Sequence, residues 1–277
     1  MVTTKTRLAK IESWMNAPST LARITAIAPK HQRAERIIKL AWFQIQSNPK
    51  LAECTPKSIA ECVLTCAQLG LEPNSVSQHA HFIPFNDRKA GTVVCTLVPG
   101  YKGLIDLAMR TGRFVTFRAQ VVRTGDEFDH QDEPPLLYHK RAEVEDLESD
   151  ILYAYAVAVH NDANHYRSFH VCSTAYIDTV RARSRGKNAQ GWVSHYPAMA
   201  MKTALIRHLK YIGSSVELAS IVTLDEQADS GIKQTLVKVD DATLDGFDDD
   251  TCGPGASPQG GASLSAGGEP ASGAPSE

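Results

Sequence analysis

The sequence predicts an α+β fold: an antiparallel β-hairpin and a small antiparallel sheet packed with helices, in a single main domain with a disordered C-terminal tail. Three observations predict it. Apolar residues recur at helical spacing in several runs punctuated by Pro, Gly and Asn. Other runs alternate with a period of two and are joined by short polar turns, which favours antiparallel pairing. From Asp248 onward the chain is nearly all Gly, Ala, Ser, Pro and Asp, too little apolar surface to offset the entropy of ordering.

The elements follow in order. Residues 1–30 carry Pro18 and Pro29 and read as a helical, variable segment. Residues 31–47 predict a helix with Ile37, Ile38, Ala41 and Ile45 on one face, stopped by Asn48-Pro49. Thr55-Pro56 reads as the N-cap and first turn of a second helix, with an Ile59, Val63, Cys66 stripe and Gly70 as its end. Residues 79–85 and 92–98 form a hairpin around the polar loop 86–91, after a Pro73-Asn74 turn; Pro84, lacking an amide hydrogen, places a free edge or a bulge in its first strand. Residues 100–112 are a short helix carrying Leu104, Ile105, Leu107 and Ala108. Strands resume at 114–123, 151–160 and 165–171, and the acidic, proline-bearing residues 124–150 read as an excursion between them. Residues 175–183 form a helix, 184–191 a basic loop, and Pro197 opens a helix to about residue 212. The expected division is a segment 1–30, a core 31–226, and a polar, acidic tail 227–277.

A chain of 277 residues with 43% hydrophobic and 22% charged residues can bury one sizeable core. No run approaches the roughly 18 apolar residues of a membrane helix, and the first 15 residues lack a signal-peptide core, so a cytoplasmic location and no membrane contact are expected. The six cysteines lack the pair spacing of a metal site and read as free thiols. The net charge of −2 hides a split: residues 240–277 hold eight acids and no Lys or Arg, which leaves the rest at +6. Residues 171–212 hold seven Lys or Arg against Asp178 alone, so that excess is concentrated in one segment.

The helix at 197–212 carries the clearest signal. Ala198, Met201, Leu205, Leu209 and Ile212 share an arc of about 80°, a core-facing stripe, whereas Lys202, Thr203, Arg207 and Lys210 share one of about 140° that no acid of the helix interrupts. Solvated faces usually mix signs, so this one reads as an anion-binding wall, the plain alternative being a soluble face. The preceding Arg181, Arg183, Arg185, Gly186 and Lys187 could follow a phosphate backbone or serve as a linker. Tyr101-Lys102-Gly103 puts a lysine at a helix N-terminus, where free amides would share a phosphate with it, and Gly100 and Gly103 would let a backbone come close. Asp126, Glu127, Asp129, His130 and Asp132 resemble hard-metal ligands of a nuclease, or a solvated acidic turn. There is no phosphate loop, nucleophile elbow or zincin helix, so neither catalytic residues nor a cofactor nor a metal is expected.

Six motifs stand in order: Leu69-Gly70-Leu71-Glu72-Pro73-Asn74; His79-Ala80-His81-Phe82-Ile83-Pro84-Phe85; Pro99-Gly100-Tyr101-Lys102-Gly103-Leu104-Ile105-Asp106-Leu107-Ala108; Gly125-Asp126-Glu127-Phe128; Ala154-Tyr155-Ala156-Val157-Ala158; and Met199-Ala200-Met201-Lys202-Thr203-Ala204-Leu205-Ile206-Arg207. Together, over residues 47–226, they resemble the RecT family of phage and prophage single-strand annealing recombinases. The resemblance implies ATP-independent binding of single-stranded DNA and annealing of complementary strands in homologous recombination, by a homo-oligomer in a ring or helical filament that clamps the annealed duplex. It also implies a companion exonuclease, and a host single-strand-binding protein is a further candidate partner. Lys102, Lys202, Thr203 and Arg207 are carried over as groove residues, and the match at 125–128 favours a turn over a nuclease site. Residues 184–192 fit loosely, so Arg185 and Lys187 rest on charge alone, with Lys210 beside them. Phe82, Tyr101 and Trp192 are candidates to stack on or wedge between bases, although single aromatics are more often core. The alternatives are a module that coats single strands without annealing them and, behind it, a metal-dependent nuclease using Asp126, Glu127 and His130.

Overall fold

A computed structural model describes residues 4–73, 76–87, 91–143, 146, 148–212 and 215–239. Helices come first: α1 (Thr4–Asn16), α2 (Pro18–Ile27), α3 (Ala34–Ser47), a 3-10 turn (Pro49–Glu53) and α4 (Pro56–Leu69). α3 buries the predicted face of Ile37, Ile38, Ala41 and Ile45. α4 is buried far beyond its predicted stripe, because α2 and α3 cover one side and a strand covers the other. Thr55 does not cap α4 with its hydroxyl, which instead donates to Ser58 Oγ at 3.0 Å; Pro56 opens the helix and Gly70 closes it at φ 62°, a left-handed turn that glycine adopts without strain. Ile11, Trp14, Met15 and Ile24 place α1 and α2 in the main core.

The hairpin consists of β1 (Ala80–Asp87) and β2 (Thr92–Pro99), paired from Ala80↔Pro99 to Asp87↔Thr92. Pro84 faces Cys95 in unbroken register, so its missing amide lies on an outer edge and not in a bulge. The opposite edge of β2 is covered by groups from elsewhere. Thr55 N donates to Val93 O at 2.9 Å, Ser58 Oγ accepts from Cys95 N at 2.9 Å, and Gln234 bonds both the amide (2.9 Å) and the carbonyl (2.7 Å) of Leu97. α5 (Tyr101–Arg110) follows at once. A Cβ at Gly100 would lie 2.1 Å from Gln78 O and one at Gly103 2.2 Å from His79 O. The backbone these glycines admit is therefore the chain's own, not the phosphate backbone expected for them.

A second sheet orders β3 (Phe114–Arg123), β6 (Ile151–His160) and β7 (Arg167–Ser173) as β3-β6-β7, all antiparallel. The excursion between β3 and β6 contains an unpredicted hairpin, β4 (Glu127–Gln131) and β5 (Leu136–Lys140). Phe128 holds it to the sheet, its ring stacked 5.4 Å from Tyr153 and 5.7 Å from Tyr155.

Four helices follow among the described residues: α6 (Thr174–Arg183), α7 (Gln190–Ser194), α8 (Tyr196–Tyr211) and α9 (Val216–Ser230). α8 packs on β3, β6 and β7 and between α5 and α9, with Ala200 and Ala204 fully buried where backbones approach closely. The core boundary expected at 226 falls inside α9, and the segment beyond it is tied down: Val237 N donates to Thr65 Oγ1 at 3.0 Å and Val239 is buried. The tail from 240 onward, Cys252, and parts of the expected turn at 74 and loop at 88–90 lie outside the described residues. The described residues belong to one unit of mixed helices and small antiparallel sheets, the predicted α+β class. Among them no helix is long and apolar enough to cross a membrane.

Candidate nucleic-acid interface

The predicted basic helix borders a groove of about 730 Å³ between α6, α8 and α9. Lys202, Thr203, Arg207 and Lys210 all line it, as do Tyr176 and Arg183 from α6 and Asp225, Glu226 and Asp229 from α9. The structure thus gathers five of the expected residues, these four and Trp192, but it gives them different tasks.

Lys202 is 5% exposed, and its Nζ lies 2.5 Å from Asp225 Oδ1 in a buried ion pair. Burial pushes the Asp225 carboxyl up, and Lys202 pulls it back. Thr203 is buried and donates its hydroxyl to Met199 O at 2.9 Å. Neither is the free phosphate ligand expected from the helical projection. Lys210 pairs with Glu226, but both side chains are about half exposed. Such a surface pair contributes about 0–1 kcal/mol, so a phosphate could replace the carboxylate. Arg207 is exposed, and among the described residues no carboxylate pairs with it; its guanidinium lies 4.1 Å from the centre of the Tyr176 ring. The acids opposing α8 come from α9, which the projection of α8 alone did not contain.

The other candidates divide as well. Lys102 and Lys187 are exposed. Arg185 acts as a clamp: its guanidinium lies 4.4 Å from the Phe85 ring and donates to Asn86 O, while its amide donates to Asp229 O at 2.7 Å. Phe82 (2% exposed) and Trp192 (3%) are core residues, so neither offers a face to a base; Tyr101 is half-buried against the same core. Single aromatics in otherwise apolar runs carry no sign that separates these cases.

The acidic cluster is a braced turn at Asp126 that leads into β4, which carries Glu127, Asp129 and His130. Asp126 accepts from Arg123 N at 2.8 Å and Ala142 N at 3.0 Å, and His139 Nε2 lies 3.0 Å from its Oδ2. Burial works to raise this carboxyl, but those hydrogen bonds outweigh it and hold it below the ordinary range. Glu127 pairs with Lys140 at 2.8 Å, and the His130 ring lies 5.5 Å from that of Phe128. Among the described residues no group of three or more His, Cys, Asp or Glu could hold a metal ion. The five described cysteines are free and buried.

Beneath the groove, α8 meets the sheet through a partly buried polar chain. His208 Nε2 lies 3.2 Å from Ser168 Oγ, which lies 2.8 Å from His160 Nε2, and the His208 ring stacks on Phe117. Burial, with His170 and His160 nearby, pushes His208 down to about 4. A depressed histidine favours the fold fully above its unfolded value near 6.5, and that contribution is lost as the pH falls toward the folded value. Urea unfolding should therefore show the wild type losing about 3 kcal/mol through this group between pH 7 and pH 4. His208→Gln should flatten that slope; an unchanged slope would assign it elsewhere.

The comparisons with known proteins decide the identity. The model of the RecT family matches residues 35–238, more than two-thirds of the chain. The chain belongs to the RecT family. It is 38% identical to Protein RecT of Escherichia coli (strain K12) over 220 residues, 78% of this chain and 80% of that protein. It is 25% identical over 220 residues to the uncharacterized protein YqaK of Bacillus subtilis (strain 168), 79% of this chain and 73% of YqaK. As a RecT-family chain it is a single-strand annealing recombinase that binds single-stranded DNA. Tyr176 carries no charge, and the acids Asp225 and Glu226 lie on a different helix from the cations they meet, so the sequence alone does not mark these three residues.

Proposed function

We propose that the groove between α6, α8 and α9 holds the phosphates of a single strand, with Arg207 as its central contact. The carrying observation is that Arg207 stays exposed and, among the described residues, without a carboxylate partner while Lys202 is consumed by Asp225. Lys210 joins when a phosphate replaces Glu226, and Arg183, Lys187 and Lys102 are outlying contacts. Backbone contacts would hold the strand open, and base pairing with a second strand would supply the sequence specificity. The lack of a phosphate loop supports annealing without ATP, and the reading assigns no catalytic residue. A ring or filament of copies and a companion exonuclease complete the reading on the family resemblance, with a host single-strand-binding protein as a further candidate partner and a cytoplasmic location alongside.

Complementary labelled oligonucleotides should pair faster with the protein and without ATP, and no acceleration at any salt would reject the proposal. Binding without acceleration would leave a coating module. Arg207→Ala should weaken binding to all sequences alike and reduce the salt slope by about 0.7 to 1, one phosphate contact. An unchanged slope would move the groove elsewhere.

A further inference from the structure

The groove contains an exposed aromatic that the charge pattern did not reveal. Tyr176 is 37% exposed and lines the groove from the first turn of α6. Its mounting is firm. Ser173 Oγ caps the helix by accepting from the Tyr176 amide at 3.3 Å, and the Thr174 hydroxyl donates to Leu152 O at 3.0 Å, tying that turn to β6. The Arg207 guanidinium lies over this ring at 4.1 Å.

The acids around it are engaged elsewhere. Asp178 accepts from the Tyr196 hydroxyl at 2.8 Å, Asp225 holds Lys202, Glu226 holds Lys210, and Asp229 accepts from Ser184 Oγ at 3.0 Å. The stack on Tyr176 therefore replaces the ion pair that would otherwise fix an arginine. A guanidinium held through its face keeps the N–H groups along its edge available, and that edge is the part that grips a phosphate with two parallel hydrogen bonds. Its freedom is already restricted before the strand arrives, so less is lost on binding.

We infer that Tyr176 is a positioning residue for Arg207, holding the guanidinium so that its edge takes one phosphate of the bound strand. The inference rests on the groove reading above. Tyr176 contributes to affinity through Arg207 and makes no independent contact with DNA.

The test titrates a fluorescently labelled oligothymidylate at several salt concentrations with the full-length protein and its variants. Tyr176→Ala should weaken binding about two- to fivefold, the range of a single cation–π contact, with the salt slope unchanged because no charge is lost. Tyr176→Phe should bind like the wild type, which separates stacking from the hydroxyl. In an Arg207→Ala background, Tyr176→Ala should add nothing. An equal loss from Tyr176→Ala in both backgrounds would overturn the inference, since the ring would then act on DNA or on the fold by itself. Weaker binding by Arg207→Ala with none by Tyr176→Ala would also overturn it while leaving the groove in place. No effect of Arg207→Ala on affinity or slope would instead remove the groove reading.

Discussion

Lys202→Met should destabilise the protein by about 3–5 kcal/mol, because it leaves the Asp225 carboxylate buried without a counter-charge. Burial already pushes that carboxyl up, and without Lys202 it should rise further. A carboxyl whose folded value lies above its unfolded one costs stability as the pH rises between the two. The deficit should therefore be smallest in acid and largest above neutrality. Urea unfolding across pH would measure it. Lys202→Met with Asp225→Leu should return close to the wild type, since a buried ion pair replaced by apolar groups of similar volume is often neutral. If Lys202→Met alone unfolds like the wild type, the pair is not what holds α8 to α9. The double variant should also keep its salt slope for single-stranded DNA, in contrast to Arg207→Ala. A family motif residue would then be shown to serve the wall of the groove and not its ligand.

Gly103→Ala should have a comparably large effect, about 1–3 kcal/mol and toward the upper end of that range. The added methyl would lie 2.2 Å from His79 O, with His79 C at 2.9 Å and His79 Cα at 3.0 Å, all backbone atoms that cannot swing aside. α5 would have to lift from residues 78–79 and carry Lys102 with it. Gly186→Ala is the matched control, because a Cβ there meets only side-chain atoms at 3.7 Å or more. Equal unfolding midpoints for the two variants would show that the approach of α5 is not tight.

The parts of the fold that were legible are those written locally. α3, α5, the first hairpin and the three strands of the second sheet each carry their own periodicity and stop signals, and the structure places them within a few residues of the expected bounds. The hairpin of β4 and β5 was hidden because its outward residues, such as Asp129 and Gln131, are polar enough to resemble a loop, and Phe128 is its main inward anchor. α7, five residues long, begins at the end of the expected basic loop and runs into the stretch before Pro197 to which the sequence assigns no element. For α8 the projection found the cations but not its setting, because Ala200, Ala204 and His208 are buried as well and the helix is enclosed on several sides. Which cation is free depends on Asp225 and Glu226, and that is a tertiary fact.

One edge of the first hairpin bears on how copies of this chain can meet. Along β2 the outward backbone groups at Val93, Cys95 and Leu97 are met in turn by a loop amide, a hydroxyl and the two ends of the Gln234 amide. A strand from another molecule would find no unmet partner there and would have to evict all three. The side-chain amide of Gln234 imitates the peptide group of a neighbouring strand and then offers nothing further to bond. Growth by strand addition is closed at β2, so any assembly built on this hairpin must use its faces or the β1 side.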